Sequence, residues 1–363
     1  MMDVRALALG AMGLVPIVSP AEGETLRVAT FNTELQADGP GLLYRDLKRT
    51  ESKQIAAVLS VITETSPDIL ALQGIDWDHG GAALGALIDL LDANGVSYPY
   101  RFSAQPNSGM ATDLDLDGDG RLGGPGDAQG FGAYTGQGGL AILSRYPILS
   151  DDVQDFSGLL WRDMPGAMLP QHEDGSPFPS AEALAIQRLS STAHWIVPIA
   201  LPNGTVLSVM TFHASPPVFD GPEDRNGRRN HDEIRLWQMI LDGAFGDLAE
   251  PFVLAGDANL DPYDSAGRTE AMRALLADPR LQDPQPASDG AAAMPGQGHE
   301  GADALDTVDW DGVGRLRVDY VLPSAQLGIS DAGVYWPPPG AQGHDDALTA
   351  SRHRLVWVDL VLD

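Results

Sequence analysis

The chain has 363 residues, 43% hydrophobic and 20% charged, enough apolar material for a large unstapled core and too much for a disordered chain. Its 22 basic and 51 acidic residues leave a net charge of −29, which argues against sequence-independent clamping of nucleic acid by a basic footprint. It has no cysteine, so disulfides, thiolate metal sites and a cysteine nucleophile are excluded, while the compartment stays open.

In chain order, residues 1–23 read as a signal peptide. Arg5 precedes the apolar run Ala6–Val18, and Ser19-Pro20-Ala21 supplies small residues for a cut after Ala21, so a secreted or periplasmic location is expected. That run is too short to span a bilayer, and no other segment is long and apolar enough. Arg27–Phe31 reads as a core strand ending at Asn32. Residues 52–65 repeat Ile55, Val58, Leu59 and Ile62 at helical spacing behind Ser52 as N-cap. A second buried strand, Pro67–Leu72, runs into Gln73-Gly74-Ile75-Asp76. A helix is predicted over 82–93 and a strand over 139–144, then a hairpin of 194–199 and 205–212 about Pro202-Asn203-Gly204. A helix over 229–245 and strands over 252–255, 317–322 and 354–361 complete the reading. Strands close enough to pair antiparallel, mixed with helices, favour layered α/β sheets over a pure βαβ wind. No linker divides the chain, so one domain is expected over 24–363, with the Gly/Pro/Asp-rich stretches 103–138, 163–182 and 284–312 as insertions.

The strand mouths carry the chemistry. Gly256-Asp257-Ala258-Asn259 follows the apolar run Pro251–Ala255. Alternation along an extended segment would point Asp257 and Asn259 to one side, a pair suited to a hard cation or to polarising a water. Asn32, Asp76, His213, Asp257, Asn259, Asp319 and His353 all stand in or at the ends of apolar strands, where open sheets build their sites. A turn explains one such residue but not seven.

Ala29-Thr-Phe-Asn32, Leu72-Gln73, Ala141–Pro147, Thr211-Phe-His213, Gly256–Asn259, Arg317-Val-Asp-Tyr320 and Ser351-Arg-His353 stand in an order that resembles the deoxyribonuclease-I-like endonuclease/exonuclease/phosphatase superfamily. The resemblance runs from about residue 26 to 363 and rests on the ordered set of motifs. It implies a four-layer αββα sandwich of two mixed sheets flanked by helices, and Mg²⁺- or Mn²⁺-dependent phosphoester hydrolysis. In that reading His353 is the general base or the electrostatic partner of the phosphate, and Asp319 orients it. Asp257 aligns the water, Asn32 and Asn259 hold metal or phosphate oxygens, and His213 donates to the phosphate. The family usually has Glu after the Gln of the second motif, where this chain has Gly74, so Asp76 is expected to take that ligand role. It usually has Asp before the final His, where this chain has Arg352, which is expected to grip phosphate. A small phosphoester, nucleotide or lipid headgroup is the expected substrate. A secreted nuclease and a catalytically inert binding module on the same fold are the alternatives.

Two more patches stand out. In Asp113–Leu122, Asp115, Asp117 and Asp119 with Gly120 follow the EF-hand loop pattern, and Asp127 is the nearest acid to its last position. A structural Ca²⁺ loop of Asp113, Asp115, Asp117, Asp119 and Asp127 is expected, against a solvated acidic turn. Arg225–Arg235 concentrates scarce basic residues at a predicted helix start; Arg228 and Arg229 are candidate phosphate contacts there, against pairing with nearby acids. Trp161–Met168 is a candidate substrate rim.

Overall fold

Period-two alternation sorts the side chains of the central strands into two cores. In the computed structural model, which describes residues 24–294, 296 and 298–362, Leu26 and Val28 face one way and Ala29 and Phe31 the other. The signal-peptide reading of residues 1–23 lies outside the described residues. The chain runs β1 (Glu24–Leu35), α1 (Leu42–Arg49), α2 (Lys53–Thr65), β2 (Ile69–Ile75), α3 (Ala82–Ala93), β3 (Tyr100–Phe102), β4 (Gly139–Ser144) and β5 (Gln154–Asp155). It continues through α4 (Ala181–Ile186), β6 (His194–Ala200), β7 (Val206–Phe212), α5 (Arg225–Leu241), β8 (Phe252–Asp257), α6 (Glu270–Leu276) and α7 (Asp289–Ala292). The last elements are β9 (Val308–Trp310), β10 (Gly314–Leu316), β11 (Asp319–Pro323), β12 (Gly328–Val334), α8 (His344–Ala350) and β13 (Val356–Leu362).

Two large sheets result, ordered β12-β13-β1-β2-β4-β3 and β11-β8-β7-β6-β5, with β9 and β10 as a separate ribbon. Both are mixed: β1–β2 and β7–β8 are parallel, and the neighbouring pairs are antiparallel. Val28, Ile69 and Ile142 of the first sheet meet Trp195, Val209, Val253 and Val321 of the second in a shared apolar layer. On the first sheet's outer face, Phe31, Leu70, Leu72 and Leu143 pack on Val58, Ile62 and Leu87 of α2 and α3. On the second sheet's outer face, Met210, Phe252, Leu254 and Leu322 pack on Ile234, Trp237 and Met272 of α5 and α6. This is the four-layer αββα arrangement. Ser52 caps α2, its hydroxyl accepting from the Ile55 amide at 3.3 Å.

Helix α5 begins four residues before the predicted start. Its first turns turn Arg225, Arg229, Asn230, Asp232 and Glu233 inward, all buried, so apolar periodicity is silent there. Strand β12 also escaped prediction, because this edge strand buries only its last two residues and carries no apolar run.

Candidate active site

Loops and strand ends from both sheets meet at one point. β8 and β11 pair with Asp319 opposite Asp257, which sets two buried carboxylates side by side. Like charges this close repel, and the His353 ring stands between them, Nδ1 lying 3.0 Å from Asp319 Oδ2 and 3.8 Å from Asp257 Oδ2. His353 is held in turn from the loop after α8. Its backbone amide donates to the Ser351 hydroxyl at 3.0 Å, and that hydroxyl donates to the Asn32 carbonyl at 2.8 Å. Thr307 fastens the other flank: its hydroxyl donates to Asp319 Oδ2 at 2.8 Å and accepts from the amides of Val318 and Asp319. Trp310 sets its ring edge-on to His353 at 5.5 Å.

From β1, Asn32 Nδ2 donates to Asp257 Oδ2 at 2.9 Å and lies 3.5 Å from His353 Nε2. From the end of β7, His213 Nε2 lies 3.4 Å from the same carboxylate oxygen. Burial alone would lower the His353 pKa, but the Asp319 and Asp257 charges outweigh it and raise it to about 9. The ring is therefore a cation at neutral pH, with Nε2 as a donor. Asn32 Nδ2 is a donor too, so their 3.5 Å contact is no bond, and both N–H groups face a position where one acceptor oxygen would satisfy them. Burial lowers His213 against the pull of Asp257, and its Nδ1 is buried without a partner. The donor chemistry fits a divalent cation: two adjacent buried carboxylates, Asp257 and Asp319, offer oxygen ligand atoms within 4.8 Å of one another.

Asn259 reaches the site otherwise than expected. β8 ends at Asp257, and Asn259 has φ of 49°, so strand alternation stops before it. Its backbone amide donates to Asp257 Oδ1 at 2.8 Å and its Nδ2 to the Ala214 carbonyl at 2.9 Å, tying the turn to the loop that carries His213.

Three expectations need correction. Asp76 does not join the cluster. Its carboxylate accepts from the Ala37 amide (3.0 Å), the Gly138 amide (3.0 Å) and the Tyr134 hydroxyl (2.6 Å), which commits it to the surrounding loops. The cause is Gly74, whose φ of 66° and the register shift after Gln73 break the alternation that would have brought Asp76 to Asn32's side. A side chain at 74 is itself excluded, since a Cβ there would lie 2.3 Å from Asn32 Oδ1. Arg229 is no phosphate contact: it is buried and donates to the carbonyls of Leu189, Gln129, Arg188 and Ser190, and burial lowers its pKa to about 10. Trp161–Met168 is no open rim, because Trp161 is buried and both its Nε1 and the Met168 amide donate to Asp232 Oδ2 at 2.7 Å.

Arg228 is half-buried and donates to the Glu223 carbonyl at 3.1 Å. Arg352 is largely exposed and already paired: its Nε and its amide each donate to Glu34 at 2.8 Å. Burial would raise the Glu34 carboxyl, but the bonds from Arg352 hold it below its ordinary value. In the acidic loop, Asp115, Asp117 and Asp127 bring carboxylate atoms within 4.8 Å, while Asp113 and Asp119 stand outside that group. No helices flank the loop; a short 3₁₀ turn, Pro125–Asp127, supplies the last acid. Sequence reading missed Glu34, Ser351 and Thr307. Ser351 stood inside a quoted motif, whereas Thr307, inside the stretch read as an insertion and just ahead of β9, left no signal.

A profile of the Endonuclease/Exonuclease/phosphatase family matches residues 29–353. Comparison with curated proteins gives no match. Among solved structures, an endonuclease/exonuclease/phosphatase from Beutenbergia cavernae superposes with a TM-score of 0.52 at 19% identity, covering 93% of this chain and 72% of that one. A family protein from Leptotrichia buccalis gives 0.50 at 17% identity, over 93% of this chain and 100% of that one. One from Bacteroides thetaiotaomicron gives 0.50 at 14%, over 94% and 99%. At these identities the likeness is one of fold.

Proposed function

The chain belongs to the endonuclease/exonuclease/phosphatase family, and from that premise we propose that it is a divalent-metal-dependent hydrolase of phosphoester bonds acting on a small phosphoester, nucleotide or lipid headgroup. One observation carries the reading: Asn32, His213, Asp257, Asp319 and His353, spread over the chain, close on one another between the mouths of the two sheets.

His353, fixed by Asp319, presents Nε2–H beside Asn32 Nδ2–H, and the two donors bind one phosphoryl oxygen and stabilise its growing charge. Asp257 accepts hydrogen bonds in the middle of the group and orients the attacking water. His213, whose Nε2 lies beside Asp257, donates to a second phosphoryl oxygen. A divalent cation held by Asp257, with Asn32 and Asn259 as neutral oxygen donors, would offset phosphoryl charge when bound. The net charge of −29 supports a small substrate over duplex nucleic acid. Export to the periplasm or medium rests on the pattern of residues 1–23.

The test is hydrolysis of bis-p-nitrophenyl phosphate, with and without chelator, by wild type, His353→Ala and Asp257→Ala. Both variants should keep the circular dichroism of the wild type and lose turnover. Wild-type rates in both would refute the assignment. The inert-module alternative draws on Gly74 and on the diverted Asp76, and it predicts no turnover by the wild type on any phosphoester. A nuclease would instead lose affinity steeply with rising salt.

A further inference from the structure

In the 284–312 insertion, His299, Asp303 and Asp306 bring one ligand atom each within 4.8 Å of one another, a group separate from Asp257, Asp319 and His353. Asp306 is 4% exposed, and its Oδ2 is buried with no hydrogen-bond partner. An unsatisfied carboxylate oxygen in such a place is costly unless something binds it. Arg315 ion-pairs with both carboxylates, its Nε 3.5 Å from Asp306 Oδ2 and its Nη2 3.7 Å from Asp303 Oδ1, but neither contact has hydrogen-bonding geometry, so Asp306 Oδ2 keeps no hydrogen bond. The half-buried His299 ring makes no hydrogen bond among the described residues. Its loop is pinned from outside, the Glu300 and Gly301 amides donating to Asp264 at 2.8 and 2.9 Å.

We propose that His299, Asp303 and Asp306 form a second metal site, structural rather than catalytic, for a divalent transition-metal ion of the Zn²⁺ class. The imidazole sets the class: Ca²⁺ and Mg²⁺ favour all-oxygen cages, whereas one nitrogen and two carboxylate oxygens suit Zn²⁺, with water completing a tetrahedron. The site lies one residue from Thr307, whose hydroxyl holds Asp319 at 2.8 Å. An ion there ties the insertion to the segment that orients His353, without touching substrate.

The experiment uses the full-length chain, stripped with chelator, reloaded with ZnCl₂, gel-filtered and assayed for bound zinc by mass spectrometry. His299→Ala and Asp306→Asn should each hold one equivalent less than wild type. They should also lose the Zn²⁺-induced rise in Tm, at least about 2 °C in the wild type at saturating metal. In the Asp257→Asn and Asp115→Asn backgrounds, which remove acids of the other two clusters, His299→Ala should still lower the bound zinc by one equivalent and reduce the Tm rise. Should Asp306→Asn fail to fold, the half-buried His299→Ala decides alone. Wild-type stoichiometry in His299→Ala, or an equal Tm rise with Ca²⁺ that His299→Ala abolishes, overturns the proposal.

Discussion

Two regions of this molecule bury dense sets of polar groups, and they use them in opposite ways. Along the inner face of α5, the charges of Arg229 and Glu233 are spent on neighbouring backbone and hydroxyls. Arg229 donates to four carbonyls, and Glu233 accepts from the amides and hydroxyls of Ser191 and Ser215 at 2.6–2.7 Å. At the strand mouths, donors and acceptors are left over: His353 Nε2 and Asn32 Nδ2 face each other unbonded, and His213 Nδ1 has no partner. A satisfied polar network rigidifies, whereas an unsatisfied one of fixed geometry waits for a ligand. The difference separates scaffold from chemistry where burial and charge alone do not.

The largest expected effect tests the open set. Removing His353 or Asp257 should lower turnover of a diester by at least about a thousandfold. Asp257→Ala should hold or slightly raise stability, since it relieves the repulsion beside Asp319, whereas His353→Ala should lower it, since it leaves two buried carboxylates without the cation between them. Activity is read by chromogenic hydrolysis and stability by urea titration. A large loss of stability with little loss of turnover would place this cluster in the same class as α5.

Next in size is the converse. Arg229→Ala should cost about 3–5 kcal/mol of stability, because it strips a buried cation from carbonyls that then lack partners. Turnover per folded molecule should stay near wild type, measured at a temperature where the variant is fully folded. A loss of substrate affinity in folded Arg229→Ala would reinstate it as a phosphate contact.

Gly74 joins the two themes, since its backbone bend gives the Asn32 side chain its room. Gly74→Ala should cost about 1–3 kcal/mol from the positive φ alone. It should also lower turnover by displacing Asn32 Oδ1, which a Cβ would meet at 2.3 Å. If the alanine variant were fully active, Asn32 would not be a positioned donor.

The central strands and α2, α3, β4 and the β6–β7 hairpin were legible because their apolar residues follow one period and Gly, Pro or Ser punctuates their ends. Asp257, Asp319 and His353 were legible because strands deliver them at apolar-to-polar boundaries. Asp76 misled because strand alternation was carried across Gly74, a residue able to turn the backbone out of register. Arg229 misled because a buried arginine and a solvent-facing one look alike in sequence. Partners such as Thr307 and Glu34 are fixed by contacts between segments far apart, which periodicity does not encode.

The smallest effect separates the two regions by pH. His194 belongs to the satisfied set: fully buried, Nδ1 2.8 Å from the Ser190 hydroxyl and Nε2 3.1 Å from the Glu233 carbonyl, it packs between Phe212 and Trp237. Burial lowers its pKa despite the nearby Glu233, the opposite of His353. The unfolded chain then takes up the proton first, near the ordinary value of about 6.5, so each step below that pH favours unfolding. Above it both states are neutral at this position and its contribution is flat. Urea midpoints from pH 8 to 5 should therefore fall below about pH 6.5 in the wild type. The slope should be shallower in His194→Gln, whose amide keeps hydrogen-bonding capacity but does not titrate. An unchanged slope would mean that the His194 ring takes its proton in the folded state as readily as in water, and that the α5 network has room for a charge its contacts leave no place for.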